Sequence, residues 1–167
     1  MSENARSKKG FLYIAIALVV IVGVIAAFML SGGSNLNDPV AAGQEVVVTI
    51  KADSLENMYG YEFRLNYDDT QLDYDGALYS KADGIQTIFS KPFDGHELVG
   101  ATMIGEQEGL TGKNVVMCEM VFTSLIDGTL GDFDLELTHV NVVKSDMEYL
   151  EGLEGWEYSL AVRPAEG

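Results

Sequence analysis

An all-β sandwich or barrel, carried behind one N-terminal membrane-spanning helix, is the architecture this sequence predicts. Three observations predict it. Residues 11–30 (FLYIAIALVVIVGVIAAFML) contain no charge and no proline. From Val46 onward, short runs alternate apolar and polar residues, most regularly Tyr59, Tyr61, Phe63, Leu65 and Tyr67 against Gly60, Glu62, Arg64 and Asn66. Between the runs stand Gly, Asp and Asn, and no convincing amphipathic helix. Strands of this kind belong to antiparallel sheets with one wet face, and several at close spacing close into a sandwich or barrel.

A twenty-residue helix rises about 30 Å, the thickness of the hydrocarbon core of a bilayer, and pairs all its own backbone groups. Arg6, Lys8 and Lys9 precede the run, and no Lys or Arg follows it until Lys51. The positive-inside bias then makes residues 1–10 a basic cytoplasmic leader and residues 11–30 an uncleaved, single-pass signal anchor in the cell membrane. Everything after it faces outward. A cleaved signal peptide has a shorter core, about 7–15 residues, and an A-x-A-like site, which Phe28-Met29-Leu30-Ser31 does not provide. A third reading starts from Lys8-Lys9-Gly10-Phe11, which resembles the bacterial type IV prepilin cleavage site and implies a pilin-like surface filament subunit. That family carries glutamate at the fifth position of the mature helix, where this chain has Ala15.

The chain has 167 residues and a net charge of −16. The leader is basic, so the acidity belongs to the part beyond the anchor, which is long enough for one domain with a real core. An acidic exterior excludes nucleic acid and argues against lying flat on anionic lipid. It suits solubility, cation-rich surroundings or a basic partner. Cys118 is the single cysteine, so no internal disulfide forms. Its place in Val116-x-Cys118-x-Met120-x-Phe122 reads as a small buried hydrophobe.

In order along the chain, residues 31–39 open with Ser-Gly-Gly-Ser-Asn and read as a flexible linker. Strands are expected at 46–50, 59–67, 72–79, 97–104, 115–123, 133–143 and 156–162, within a module spanning 40–163; residues 164–167 form a tail. Asp68-Asp69-Thr70, Asp83-Gly84, Asp94-Gly95, Gly109-x-x-Gly112 and Asp127-Gly128 supply turns. Residues 80–94 are the least legible, with a short strand expected near 87–89.

Several segments resemble the cohesin domain. Gly43-Gln44-Glu45-Val46-Val47-Val48 is similar to the G-x-x-V-x-V second strand of that family. Gly60-Tyr61-Glu62-Phe63-Arg64-Leu65-Asn66-Tyr67-Asp68 resembles its third strand, G-x-x-F-x-L-x-Y-D, and Asp69-Thr70-Gln71-Leu72 its P-x-x-L, with Asp69 in place of proline. Gly109-Leu110-Thr111-Gly112 leading to Val121-Phe122 is similar to the G-x-L-x-x-I-x-F strand, and Leu135-x-Leu137-x-x-Val140 with Asp146 to the penultimate strand and its loop. The likeness runs from about Val40 to Val162, is most specific from Tyr59 to Leu72, and departs in a first strand shortened to 36–40. It implies a nine-stranded jelly-roll β-sandwich related to carbohydrate-binding modules. It also implies a non-catalytic module that docks a secreted, dockerin-bearing protein. Dockerins are small calcium-loaded modules borne by enzymes of cellulosomes. In that family the docking surface is the flat face of the third, fifth, sixth and eighth strands. The outward positions there are Glu62, Arg64 and Asn66 on the third strand, and Asp134, Glu136 and Thr138 on the eighth.

No catalytic arrangement and no cofactor motif is evident, so an enzyme is not expected. His96 and His139 lie far apart in the chain, outside any metal-ligand motif, and His139 falls where an alternation slips. Asp68, Asp69, Asp73 and Asp75 crowd one turn and are the candidate calcium ligands, although the spacing is not that of an EF-hand. The alternative for Asp68 is a carboxylate capping its own turn. Binding of polysaccharide needs flat aromatic rings at the surface. Tyr74, Tyr79, Tyr149, Trp156 and Tyr158 are the available ones, Trp156 reading as a core plug.

Overall fold

A computed structural model describes residues 35–152 and 154–163. The expected leader, membrane anchor (residues 11–30), first part of the linker and tail lie outside the described residues. Among the described residues no helix is long and apolar enough to cross a membrane.

Ten strands follow one another: β1 (Pro39–Val40), β2 (Glu45–Tyr67), β3 (Leu72–Ser80), β4 (Thr87–Phe93), β5 (His96–Thr102), β6 (Leu110–Ser124), β7 (Gly128–Thr129), β8 (Leu135–Lys144), β9 (Tyr149–Glu151) and β10 (Trp156–Val162). A 3-10 turn, Leu130–Asp132, links β7 to β8. β1 and β7 pair as a small two-stranded cap. The other eight strands form one hydrogen-bonded sheet that folds back on itself at β2. The first part of β2 pairs with β10 on one side and β6 on the other, and β3 adds to β6. The second part pairs with β5 and β8, with β4 added to β5 and β9 to β8. The result is a sandwich: a back layer β10–β2–β6–β3 and a front layer β9–β8–β2–β5–β4.

The sequence reading separates strands at 46–50 and 59–67; the chain instead runs as one strand of 23 residues. Residues 51–56 have no break because Ser54 pairs with Lys113 and Leu55 with Gly112. The corner between layers is Asn57, in the left-handed region at φ 56°. Its N–H donates to Thr111 Oγ1 (2.9 Å) and its Oδ1 accepts from Ser145 Oγ (2.7 Å). Gly109 lies against it so closely that a Cβ would sit 2.4 Å from the Asn57 carbonyl. Merging two expected strands and adding the short β7 and β9 turns the expected nine into ten.

Alternation fills the space between the layers. Val46, Val48, Ile50, Phe63 and Leu65 of β2 meet Met120 and Phe122 of β6 and Val99 of β5, all essentially without solvent contact. Tyr67 and Tyr74 pack on Phe122, at 5.1 and 4.9 Å between centroids. Cys118 is buried, as its place in the alternation implies, and burial pushes its thiol pKa up to about 12. The unit begins at Asn35: residues expected as the end of the linker form a turn, and the N–H groups of Leu130 and Gly131 donate to Asp38 and Leu36 carbonyls.

Candidate docking face

On the outer face of the front layer, side chains from five strands come into register. The Asp94-Gly95 turn joins β4 and β5 with Phe93 opposite His96, the two-residue hairpin that an Asp-Gly pair favours. That register aligns Lys91 with Leu98 and Phe89 with Gly100. β5 then aligns Gly100 with Glu62, Leu98 with Arg64 and His96 with Asn66 of β2. β2 continues the rows to β8, placing Glu62 opposite Asn141, Arg64 opposite Thr138 and Asn66 opposite Glu136. Three rows result: Phe89–Gly100–Glu62–Asn141, Lys91–Leu98–Arg64–Thr138 and Phe93–His96–Asn66–Glu136. Thr87–Thr102–Gly60–Val143–Tyr149 forms a fourth. At about 4.8 Å between strands the face is about 20 Å wide.

The centre of the face is polar, and exposed aromatic rings stand at both flanks. Glu62 Oε1 accepts from Asn141 Nδ2 (3.5 Å) and Glu136 Oε2 from Asn66 Nδ2 (3.2 Å). Arg64 is exposed, and no ion pair engages it among the described residues. On the β4 flank, Phe89 is 51 % exposed and its ring rests on Gly100, where a Cβ would meet Phe89 Cζ at 2.5 Å. Phe93 stacks on the His96 ring (5.1 Å, 5°), and Lys91 Nζ stands 5.1 Å from the Phe93 centroid. On the β9 flank Tyr149 is 66 % exposed.

Five of the six expected face residues, Glu62, Arg64, Asn66, Glu136 and Thr138, fall in these rows. Asp134 does not. β8 begins at Leu135, and Asp134 sits just before it, its N–H donating to Gln71 Oε1 (3.0 Å). The slip at His139 is a bulge: Glu62 pairs with Asn141 but Arg64 with Thr138, leaving one extra residue, and His139 takes φ 50°. The bulge carries Asn141 onto the outer face, which simple alternation does not foresee. β4 and β5 also contribute to the face, in the register that the Asp94-Gly95 hairpin sets.

Elsewhere the expected ligands do other work. Asp68 Oδ1 accepts from Thr70 N–H (2.8 Å) and Thr70 Oγ1 (2.6 Å), bonds that lower its pKa. Asp75 Oδ1 accepts from Ala77 N–H (3.2 Å), and Asp69 and Asp73 are exposed. Among the described residues no three His, Cys, Asp or Glu side chains converge to hold a metal ion. Trp156 is half-buried beside Tyr61, 5.6 Å between centroids. Tyr158 donates to the Leu135 carbonyl (2.7 Å) and Tyr74 shares a hydrogen bond with Ser90 (3.1 Å). Tyr79 is exposed on β3, away from the front face.

The family model of the cohesin domain matches residues 36–95. No curated protein sequence matches the chain. Among solved structures, the cohesin module of a Clostridium perfringens family 33 glycoside hydrolase is similar at 19% identity and a TM-score of 0.59, over 77% of this chain and 90% of that one. The type II cohesin A11 of Bacteroides cellulosolvens is similar at 17% identity and a TM-score of 0.55, over 68% and 86%. The sixth cohesin of Acetivibrio cellulolyticus scaffoldin B, solved in complex with a Cel5 dockerin, follows at 14% identity and a TM-score of 0.52, over 66% and 83%. The described residues thus have the β-sandwich fold of cohesin modules, and residues 36–95 carry the sequence pattern of the cohesin domain family.

Proposed function

We propose that this chain is a membrane-anchored, outward-facing binding module that docks a secreted, dockerin-bearing protein at the cell surface and performs no catalysis. The observation that carries the reading is the four-row front face, polar at its centre with exposed aromatic rings at both flanks. A polar interface with a few apolar anchors is the usual composition of a reversible protein–protein contact. The similar scaffoldin B cohesin was solved with a dockerin bound, which supports the choice of partner. The uncharged run at residues 11–30 behind Lys8 and Lys9 supports the anchor.

The test is a binding titration of the full chain, in detergent, with calcium-loaded dockerin modules from the same genome. Micromolar or tighter binding is expected, and reversing both charges with Glu62→Lys and Arg64→Glu is expected to weaken it at least tenfold. Unchanged binding to that variant would show that the face is wrong. Fractionation, external protease on whole cells and the mass of the mature N-terminus test the anchor. Cleavage after Gly10 would support the pilin-like reading instead.

A second reading, binding of polysaccharide, is favoured by the exposed rings of Phe89 and Tyr149 on one face. A glycan array without hits would remove it.

A further inference from the structure

Resting on the docking reading, we infer that the front face recognises carboxylate groups of its partner through the row Lys91–Leu98–Arg64–Thr138. The chain as a whole is acidic, with 26 Asp and Glu against 10 Lys and Arg. Its global charge therefore favours a basic partner. The local arrangement is the reverse. Lys81, Lys144 and Arg163 are each tied to a glutamate at 2.7–2.9 Å. Lys51, Arg64, Lys91 and Lys113 have no carboxylate within ion-pair distance among the described residues. Two of these four, Arg64 and Lys91, stand in a single row of the front face, on either side of Leu98. Their strands are two apart, which sets them about 10 Å from each other.

The acidic groups on the same face are differently disposed. Glu62 and Glu136, which flank the row, each accept from an asparagine amide. Their oxygens are partly engaged, whereas the guanidinium and ammonium donors are free to bond outward. Thr138 Oγ1, beside Arg64, is buried without a hydrogen-bond partner in the isolated chain. Lys91 Nζ stands over the Phe93 ring, a cation–π contact at 5.1 Å from the centroid. Two positioned cations separated by a leucine suit a partner segment with acidic side chains on both sides of an apolar one. A planar, pre-organised guanidinium takes a carboxylate with two parallel hydrogen bonds. Against a background of negative potential, such a row also decides orientation, because a partner docked out of register meets Glu62 and Glu136 instead.

Two peptides test this on the ¹⁵N-labelled full chain in detergent micelles. One is a 20-residue helical peptide with Glu on both sides of a Leu stripe; in the other every Glu is Lys. The Glu peptide is expected to shift the amides of Arg64, Lys91, Leu98 and Thr138, with at least tenfold weakening from 20 to 300 mM salt. The double variant Arg64→Glu/Lys91→Glu is expected to abolish those shifts. Absence of shifts in this row, or equal shifts there with the Lys peptide, overturns the inference. Thr102→Trp separates this from the docking reading itself, since it fills the face without altering charge. A dockerin lost with Thr102→Trp and with Glu62→Lys/Arg64→Glu but unaffected by Arg64→Glu/Lys91→Glu would leave the docking reading standing and refute the carboxylate one. A dockerin indifferent to all three would refute both.

Discussion

Glu97 of β5 is the cross-strand partner of Leu65 of β2, and both side chains point into the sandwich. Glu97 is 2 % exposed and its Oε2 has no hydrogen-bond partner. Tyr67 and Tyr74 lie nearby, their pKa values raised first by burial and further by the Glu97 charge. Burial raises the pKa of the Glu97 carboxyl above the ordinary carboxylate range. The native state thus holds the proton to higher pH than the unfolded chain. The stability that goes with this proton is complete below the unfolded carboxylate pKa and is lost as pH rises through the raised native value. Glu97→Gln is expected to stabilise the domain by about 1 kcal/mol or more at pH 8, and by much less at pH 4. Urea unfolding at the two pH values measures the difference.

The bulge at His139 holds a non-glycine residue in the left-handed region, which costs about 1–2 kcal/mol. His139 is exposed, so its side chain contributes little packing. His139→Gly is expected to raise stability by about 0.5–1 kcal/mol, and His139→Val to lower it by about 1–2 kcal/mol. Thermal unfolding of the two variants is the check. Opposite signs are required, since loss of a histidine contact would move both the same way.

Gly109 against Asn57 forms the tightest contact at the corner of β2. Ala at 109 forces backbone apart, and overpacking of this kind costs about 1–3 kcal/mol. Gly112→Ala is the control, because there the added carbon meets only Val115 Cγ2 at 3.0 Å. Chemical denaturation is expected to show Gly109→Ala clearly less stable than Gly112→Ala.

Cys118 is fully buried and its thiol is pushed up to about 12. At pH 8 almost no thiolate exists, and reagent has no path to it. A disulfide-exchange reagent such as DTNB is expected to leave the native chain unlabelled for hours and to titrate one thiol in 6 M guanidinium. Rapid labelling without denaturant would contradict the described core.

The β grammar was legible wherever apolar and polar residues alternate without interruption. Tyr61, Phe63 and Leu65 are buried and alternate with the outward Glu62 and Arg64 as expected, and residues 156–162 form a strand at the expected place. Asp94-Gly95 announced its own turn. What escaped is where two residues share one register position. The extra residue at Met117 buries Met117 and Cys118 together, and that at His139 re-aims Asn141. A bulge has no composition of its own, so it shows only once both strands are paired. β4 is legible only as the short strand near 87–89, because at the edge of its layer Thr87, Phe89, Lys91, Pro92 and Phe93 are all exposed. A strand that buries little carries little alternation. In the docking face, the polar half on β2 was therefore readable and the aromatic half on β4 was not.

One 23-residue strand serves both layers, which ties the back layer to partners far along the sequence. The first part of β2 acquires β10 only when residues 156–162 exist, and Glu45 meets Arg163 across a separation of 118 residues. Pairings this distant in sequence make for slow, all-or-none folding. The back layer is therefore complete only once Trp156–Val162 has emerged to pair with the first part of β2.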